Sequence, residues 1–175
     1  MKNIKNNFLS ILLIGYFLVS WDVMAQEEYP KCYINRHILF ENEDPLVSEA
    51  NDATITQKGN ENMVFIQQIG NNKVMINQNG TSNLTDILQM GEGNALQLTQ
   101  SGSTNNYEGI IQGNSFDINI DQKGSLNHVL QNISGGNLFY HFVQMGHLNE
   151  IIHEGDASIP LFITQHGSNL SIIIK

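Results

Sequence analysis

From residue 53 to the C-terminus, apolar and polar residues alternate in short runs, and the runs recur. Asn62, Val64, Ile66 and Gln68 share one parity, as do Asn72, Val74, Ile76 and Gln78, and again Asn94, Leu96, Leu98 and Gln100. A period of two puts successive side chains on opposite faces of an extended strand, and Ile, Val, Phe and Thr favour that conformation. Between the runs lie bends carrying Gly59, Gly70, Gly80, Gly91, Gly102, Gly124, Gly146 and Gly167. Glycine and asparagine supply the backbone freedom that a tight reversal needs. The pattern therefore predicts short β-strands joined by bends.

A longer period is laid over the alternation. Gln57, Gln78, Gln100, Gln122, Gln144 and Gln165 each stand two residues before a glycine, at separations of 21, 22, 22, 22 and 21. A polar residue returning at that interval marks an internal repeat. Each period contains a weaker half copy, Gln-x4-Asn-x5-Gln, seen in Gln57, Asn62 and Gln68, in Gln78, Asn83 and Gln89, and in Gln89, Asn94 and Gln100. Two short strands cannot bury a face by themselves, but stacked rungs at roughly 4.8 Å can. The expected fold is all-β, a solenoid with two strands per rung.

Stacking places matched residues over one another. The six glutamines become one ladder, and Asn62, Asn83, Asn105, Asn127, Asn149 and Asn169 a second. The half-period glutamines Gln68, Gln89, Gln112 and Gln131 are expected to form a third. Stacked amides donate to and accept from the copies above and below; an inward amide without such a partner costs ~1–3 kcal/mol. A slip of one residue would turn every amide and every isoleucine to the wrong face.

Composition narrows the function classes. Eight Lys+Arg against 17 Asp+Glu give a net charge of −9, which argues against nucleic acid, whose binding needs a basic stripe. Charged residues make up only 14% of the chain, so little charge opposes self-association. A long, proline-poor, low-charge, β-prone tract is the signature of cross-β assembly.

Met1 to Ala25 reads as a secretory signal: Lys2 and Lys5, an apolar run from Phe8 to Val19, then Val23-Met24-Ala25 before a cleavage point at Gln26. The run is too short to span a bilayer. Cleavage would take the net charge from −9 to −10. The single cysteine, Cys32, has no partner within the chain and cannot staple the fold. Residues 26–52 form an acidic leader with Glu27, Glu28, Glu41, Glu43, Asp44 and Glu49, and with Pro30 and Pro45. It is either an export address or a cap on the first rung. Residues 53–175 form the repeat domain.

The motif Gln-x-Gly-x-x-Asn, as in Gln57-Lys58-Gly59-Asn60-Glu61-Asn62, the alternating Gln-x4-Asn-x5-Gln and the 22-residue period together resemble the curlin repeats of curli subunits. The resemblance covers about residues 53 to 175. It implies a subunit exported unfolded through the periplasm and an outer-membrane pore, with chaperones, that folds as a β-solenoid into extracellular cell-surface amyloid. The partners implied are further copies of itself and another curlin subunit, and the fibres would serve adhesion and biofilm matrix. Where a curlin repeat often opens with serine, this chain has Asn51, Asn72, Asn94, Phe116, Leu138 and Ile159. The half-repeats erode toward the C-terminus, which suits a nucleating subunit or a distant homologue of either subunit. A monomeric, end-capped β-solenoid adhesin is the alternative reading.

The sequence offers no catalytic constellation, no metal set and no cofactor motif. Glu92, Asp117, Asp121 and Asp156 read as gatekeepers against premature aggregation. Five of the six histidines, His128, His141, His147, His153 and His166, lie in the last third and are expected to be solvent-exposed. Met63, Phe65, Met75, Leu84, Leu88, Phe139 and Phe162 fall on outward parity, as ordinary surface residues or as contacts between protofilaments. The closing strand Asn169–Lys175 and the first rung near Ala53–Gln57 are expected to be the joining edges.

Overall fold

The computed structural model describes residues 21–23, 33–34, 51–113, 115–155 and 159–175, the first two groups as backbone only. The remainder of the expected signal, Cys32, the acidic residues of the leader and Asp156 lie outside the described residues.

The described chain is all-β: β1 (Trp21–Val23), β2 (Tyr33–Ile34), β3 (Asp52–Asn60), β4 (Met63–Thr81), β5 (Leu84–Ser103), β6 (Asn106–Ile111), β7 (Asp117–Ser125), β8 (His128–Asn132), β9 (Phe139–His147), β10 (Glu150–Glu154), β11 (Leu161–Ser168) and β12 (Ser171–Ile174). β4 and β5 each run through a bend and contribute a leg to both faces of a solenoid. One face stacks β3, the second legs of β4 and β5, β7, β9 and β11. The other stacks the first legs of β4 and β5, then β6, β8, β10 and β12. All pairs are parallel, with Gln57 over Gln78 and Gly59 over Gly80. The turn thus repeats every 21 or 22 residues, as the glutamine spacing demands.

The core lies between the two faces. Ile55, Ile76, Leu98, Ile120 and Phe142 form one buried column, and Ala53, Val74, Leu96, Ile118 and Tyr140 another. Along each strand buried and more exposed positions alternate, as in iBiBiB through Asp52–Gln57. The largest core side chains lie in the turns after β5, where Tyr107, Phe116, Tyr140 and Phe142 are fully buried. Phe116 and Tyr140 pack with ring centroids 6.1 Å apart.

The bends are as regular as the strands. Glu61, Ser82, Thr104, Leu126, Leu148 and Asn169 share one position and hold φ near +57° in every turn. From Ser82 onward, the backbone N–H of each donates to a carbonyl of the turn before, as Ser82 does to Asn60 at 2.9 Å and Leu148 to Ser125 at 3.1 Å. Gly80 shows why glycine recurs: at φ +134° a Cβ there would overlap the carbonyl oxygen of Gly102 in the next turn. Asp52 opens β3 and Asn51 already bonds into the stack, donating to the Gln68 carbonyl at 3.4 Å. Within the expected signal and leader, β1 pairs with β3 and β2 with β4.

Candidate functional site

The repeated chemistry of this chain is its buried amides. At the first corner of each turn, Gln57 Nε2 donates to Gln78 Oε1 at 2.7 Å. The chain of bonds continues from Gln78 to Gln100 at 2.8 Å, to Gln122 at 2.8 Å, to Gln144 at 3.0 Å and to Gln165 at 2.9 Å. Each Nε2 from Gln78 onward also donates across the corner to a backbone carbonyl, as Gln100 does to Leu84 at 3.0 Å. A carbonyl only accepts, so these contacts fix which amide atom is nitrogen. The ladder therefore has one sense, with donors pointing toward the C-terminal end.

A second ladder beside it runs the other way. Asn83 Nδ2 donates back to Asn62 Oδ1 at 2.9 Å, and Asn105, Asn127 and Asn149 repeat the step at 3.0 Å each. The backbone N–H of the same residues also donates to that Oδ1, which fixes its identity as oxygen. The two amide dipoles thus oppose one another along the whole stack. Thr85, at a position held by Val64 one turn earlier, adds a buried hydroxyl that donates to Gln100 Oε1 at 3.1 Å.

The second corner changes character halfway. Gln68 Nε2 donates to Gln89 Oε1 at 3.0 Å, and Asn94 Nδ2 to Asn72 Oδ1 at 2.8 Å, while Asn72 N donates to Asn51 Oδ1 at 2.9 Å. Beyond these turns Ile111 and Ile133 succeed Gln89, and Phe116 and Leu138 succeed Asn94. Gln89 Nε2 accordingly has no partner. The corner is amide-bonded in the first turns and apolar in the later ones.

Three expected ladder positions are therefore corrected. Gln112 is exposed, because Ile111, six residues after Asn105, takes the inward position. Gln131 is buried but stacks on Gly109 in the column of Ile66 and Ile87, four residues after Asn127, where the rule requires six. Its Oε1 accepts from the Tyr107 hydroxyl at 2.8 Å. Asn169 is exposed and occupies the positive-φ bend position, so that Leu170 follows Asn149 in the ladder column. Counting from each asparagine would have found the first two.

A sequence model described as Curlin associated repeat matches residues 71–102. Residues 71–102 are thus similar to a curlin repeat. The matched segment spans the second leg of β4 and most of β5, where both corners still carry amide ladders. No curated protein and no solved structure matches the chain. Curlin repeats belong to structural amyloid subunits.

The last turn of the solenoid is open among the described residues. β11 pairs only with β9 and β12 only with β10. Leu161, Ile163, Ile172 and Ile174 point inward yet are only half-buried, whereas Tyr140, Phe142, Ile151 and His153 beneath them are fully buried. Phe162 on the outer face is 69% exposed. Met63, Phe65, Leu84, Leu88 and Phe139 are half-buried on the outer faces, and Met75 is exposed.

The expected gatekeepers Glu92 and Asp117 are exposed; Asp121 is half-buried and paired with Lys123. Among the histidines, His147 and His166 are exposed, and His128 and His141 half-buried. His153 is a correction: it is fully buried, because it falls on inward parity in β10. Among the described residues, no group of three or more His, Cys, Asp and Glu comes together as a metal site.

Proposed function

We propose that this chain is exported and that its copies stack end to end into an extracellular curli-like amyloid serving adhesion and biofilm matrix. The carrying observation is the polarity of the glutamine ladder. Gln165 Nε2 ends it as a donor, bonded to the Glu150 and Leu170 carbonyls at 2.9 and 3.1 Å. In the interior Gln100 makes the same carbonyl bonds and donates to the next glutamine as well. A second copy stacked in the same parallel register sets its Gln57 over Gln165, as Gln78 is set over Gln57 within the chain. The half-buried inward residues of β11 and β12 would then be covered by the second copy's Ala53, Ile55, Val64 and Ile66.

Removal of the signal takes β1 away and uncovers the β3 edge, so that export and assembly competence coincide. The regular first turns and degenerate last ones favour a minor, nucleating subunit that contacts a major curlin. Handling by an export pore and periplasmic chaperones follows from the same family reading. The pairing of β1 and β2 onto the first turn favours a second reading, a monomeric capped solenoid acting as an adhesin.

Purified chain lacking residues 1–25 separates the two. Fibres with a meridional reflection near 4.8 Å, thioflavin binding and shortened lag in a major curlin support assembly. A soluble, dye-negative monomer at micromolar concentration overturns it in favour of the capped adhesin.

A further inference from the structure

His153 occupies a position built for an aliphatic side chain. Its column reads Ile66, Ile87, Gly109, Gln131, His153 and Ile174 through successive turns. The imidazole is fully buried, and its ring centroid lies 5.0 Å from that of Tyr140 and 6.0 Å from that of Phe142 across the core. Neither ring nitrogen has a hydrogen-bond partner. Beneath it, Gln131 has its Oε1 taken by Tyr107, and its Nε2, a donor, is unpaired. A neutral imidazole offers one acceptor in such surroundings; an imidazolium offers only donors.

The groups around it supply no countercharge. Tyr140 of β9 is the ionisable side chain on the inward side. β8 presents Val129 and Gln131 inward, with Ile133 just beyond it, β11 Leu161, Ile163 and Gln165, and β12 Ile172 and Ile174. Glu150 and Glu154 on β10 itself, His128 on β8, His141 on β9, His166 on β11 and Lys175 beyond β12 all fall on outward parity.

We propose that His153 is a proton-operated latch on the C-terminal turns: neutral, it lets β10 and β12 close the stack, and protonated, it opens them. The joining end of the molecule would thus be available above a threshold pH and withheld below it. Burial lowers the pKa of this imidazole, so the unfolded segment binds the proton first as pH falls. The contribution of His153 to closure is complete above the ordinary imidazole value of about 6.5. Below that value the open population rises by up to about tenfold per pH unit, until the lowered native pKa is reached.

The test is hydrogen exchange of the full chain, read as protection factors between pH 8 and pH 5. Peptides from β10 and β12 should lose protection below about pH 6.5, while those from β3 to β5 hold theirs. His153→Ile, which restores the residue of the earlier turns, should flatten the response, and His147→Gln should leave it unchanged. Wild-type protection that does not vary with pH, a His153→Ile chain that keeps the wild-type fall, or a His147→Gln chain that loses it would overturn the proposal. The imidazole resonances of wild-type His153 give a second measurement needing no variant: a midpoint at or above the ordinary value also overturns it.

Discussion

The phenol of Tyr107 fills the space that a side chain at Gly109 would occupy. A Cβ on Gly109 would overlap the Tyr107 hydroxyl, and that hydroxyl reaches Gln131 in the next turn. In the two preceding turns the same two positions hold Val64 with Ile66 and Thr85 with Ile87. The large and small residues of this turn are thus one compensated exchange, and burial drives the phenol's pKa above its usual range.

That compensation predicts strong coupling. Tyr107→Val alone leaves a cavity and should cost about 2–4 kcal/mol. Gly109→Ile alone overpacks the turn and should cost about 1–3 kcal/mol. Together they rebuild the earlier pattern, and a denaturation double-mutant cycle should show the pair recovering about 1–3 kcal/mol of the summed loss.

The two glutamine columns should differ in sensitivity. Gln100→Leu breaks a continuous ladder and strands the Oε1 of Gln122, so denaturation should show a loss of about 1–3 kcal/mol. Gln89→Leu also deletes an Nε2 that already lacks a partner, and should cost less, within about 1 kcal/mol.

Glycines in the bends divide by what faces them. Gly80→Ala drives a methyl into the Gly102 carbonyl and should lower stability by about 4 kcal/mol or more, or prevent folding. Gly155 has a positive φ of +78° but nothing within 4 Å of a Cβ. Gly155→Ala should therefore cost only the left-handed penalty, about 1 kcal/mol, when the two variants are compared by guanidinium titration.

Leu148 holds φ +56° while 45% exposed. A leucine gains little at such a position, whereas asparagine tolerates it, as Asn169 does one turn later. Leu148→Asn should raise the denaturation midpoint, by up to about 1 kcal/mol of added stability.

The periodic part of this protein is written in its order of residues. A period of two fixes which residues face inward, and glutamines 21 or 22 residues apart fix the turn, because a buried amide column tolerates no slip. From these the solenoid, the Gln57–Gln165 ladder and the Asn62–Asn149 ladder were legible. Where the repeat breaks, the outcome depends on contacts between turns. Gln112 and Asn169 are of the right type but one residue away from the column, and type is easier to see than register. Gln131 and His153 are inward by parity, yet their roles depend on Tyr107, Gly109 and Tyr140, which come from other turns and, for Tyr140, the other face. The opposed sense of the two ladders is likewise tertiary: it follows from the backbone carbonyls and amides that each side chain meets across a corner, which no spacing along the chain encodes.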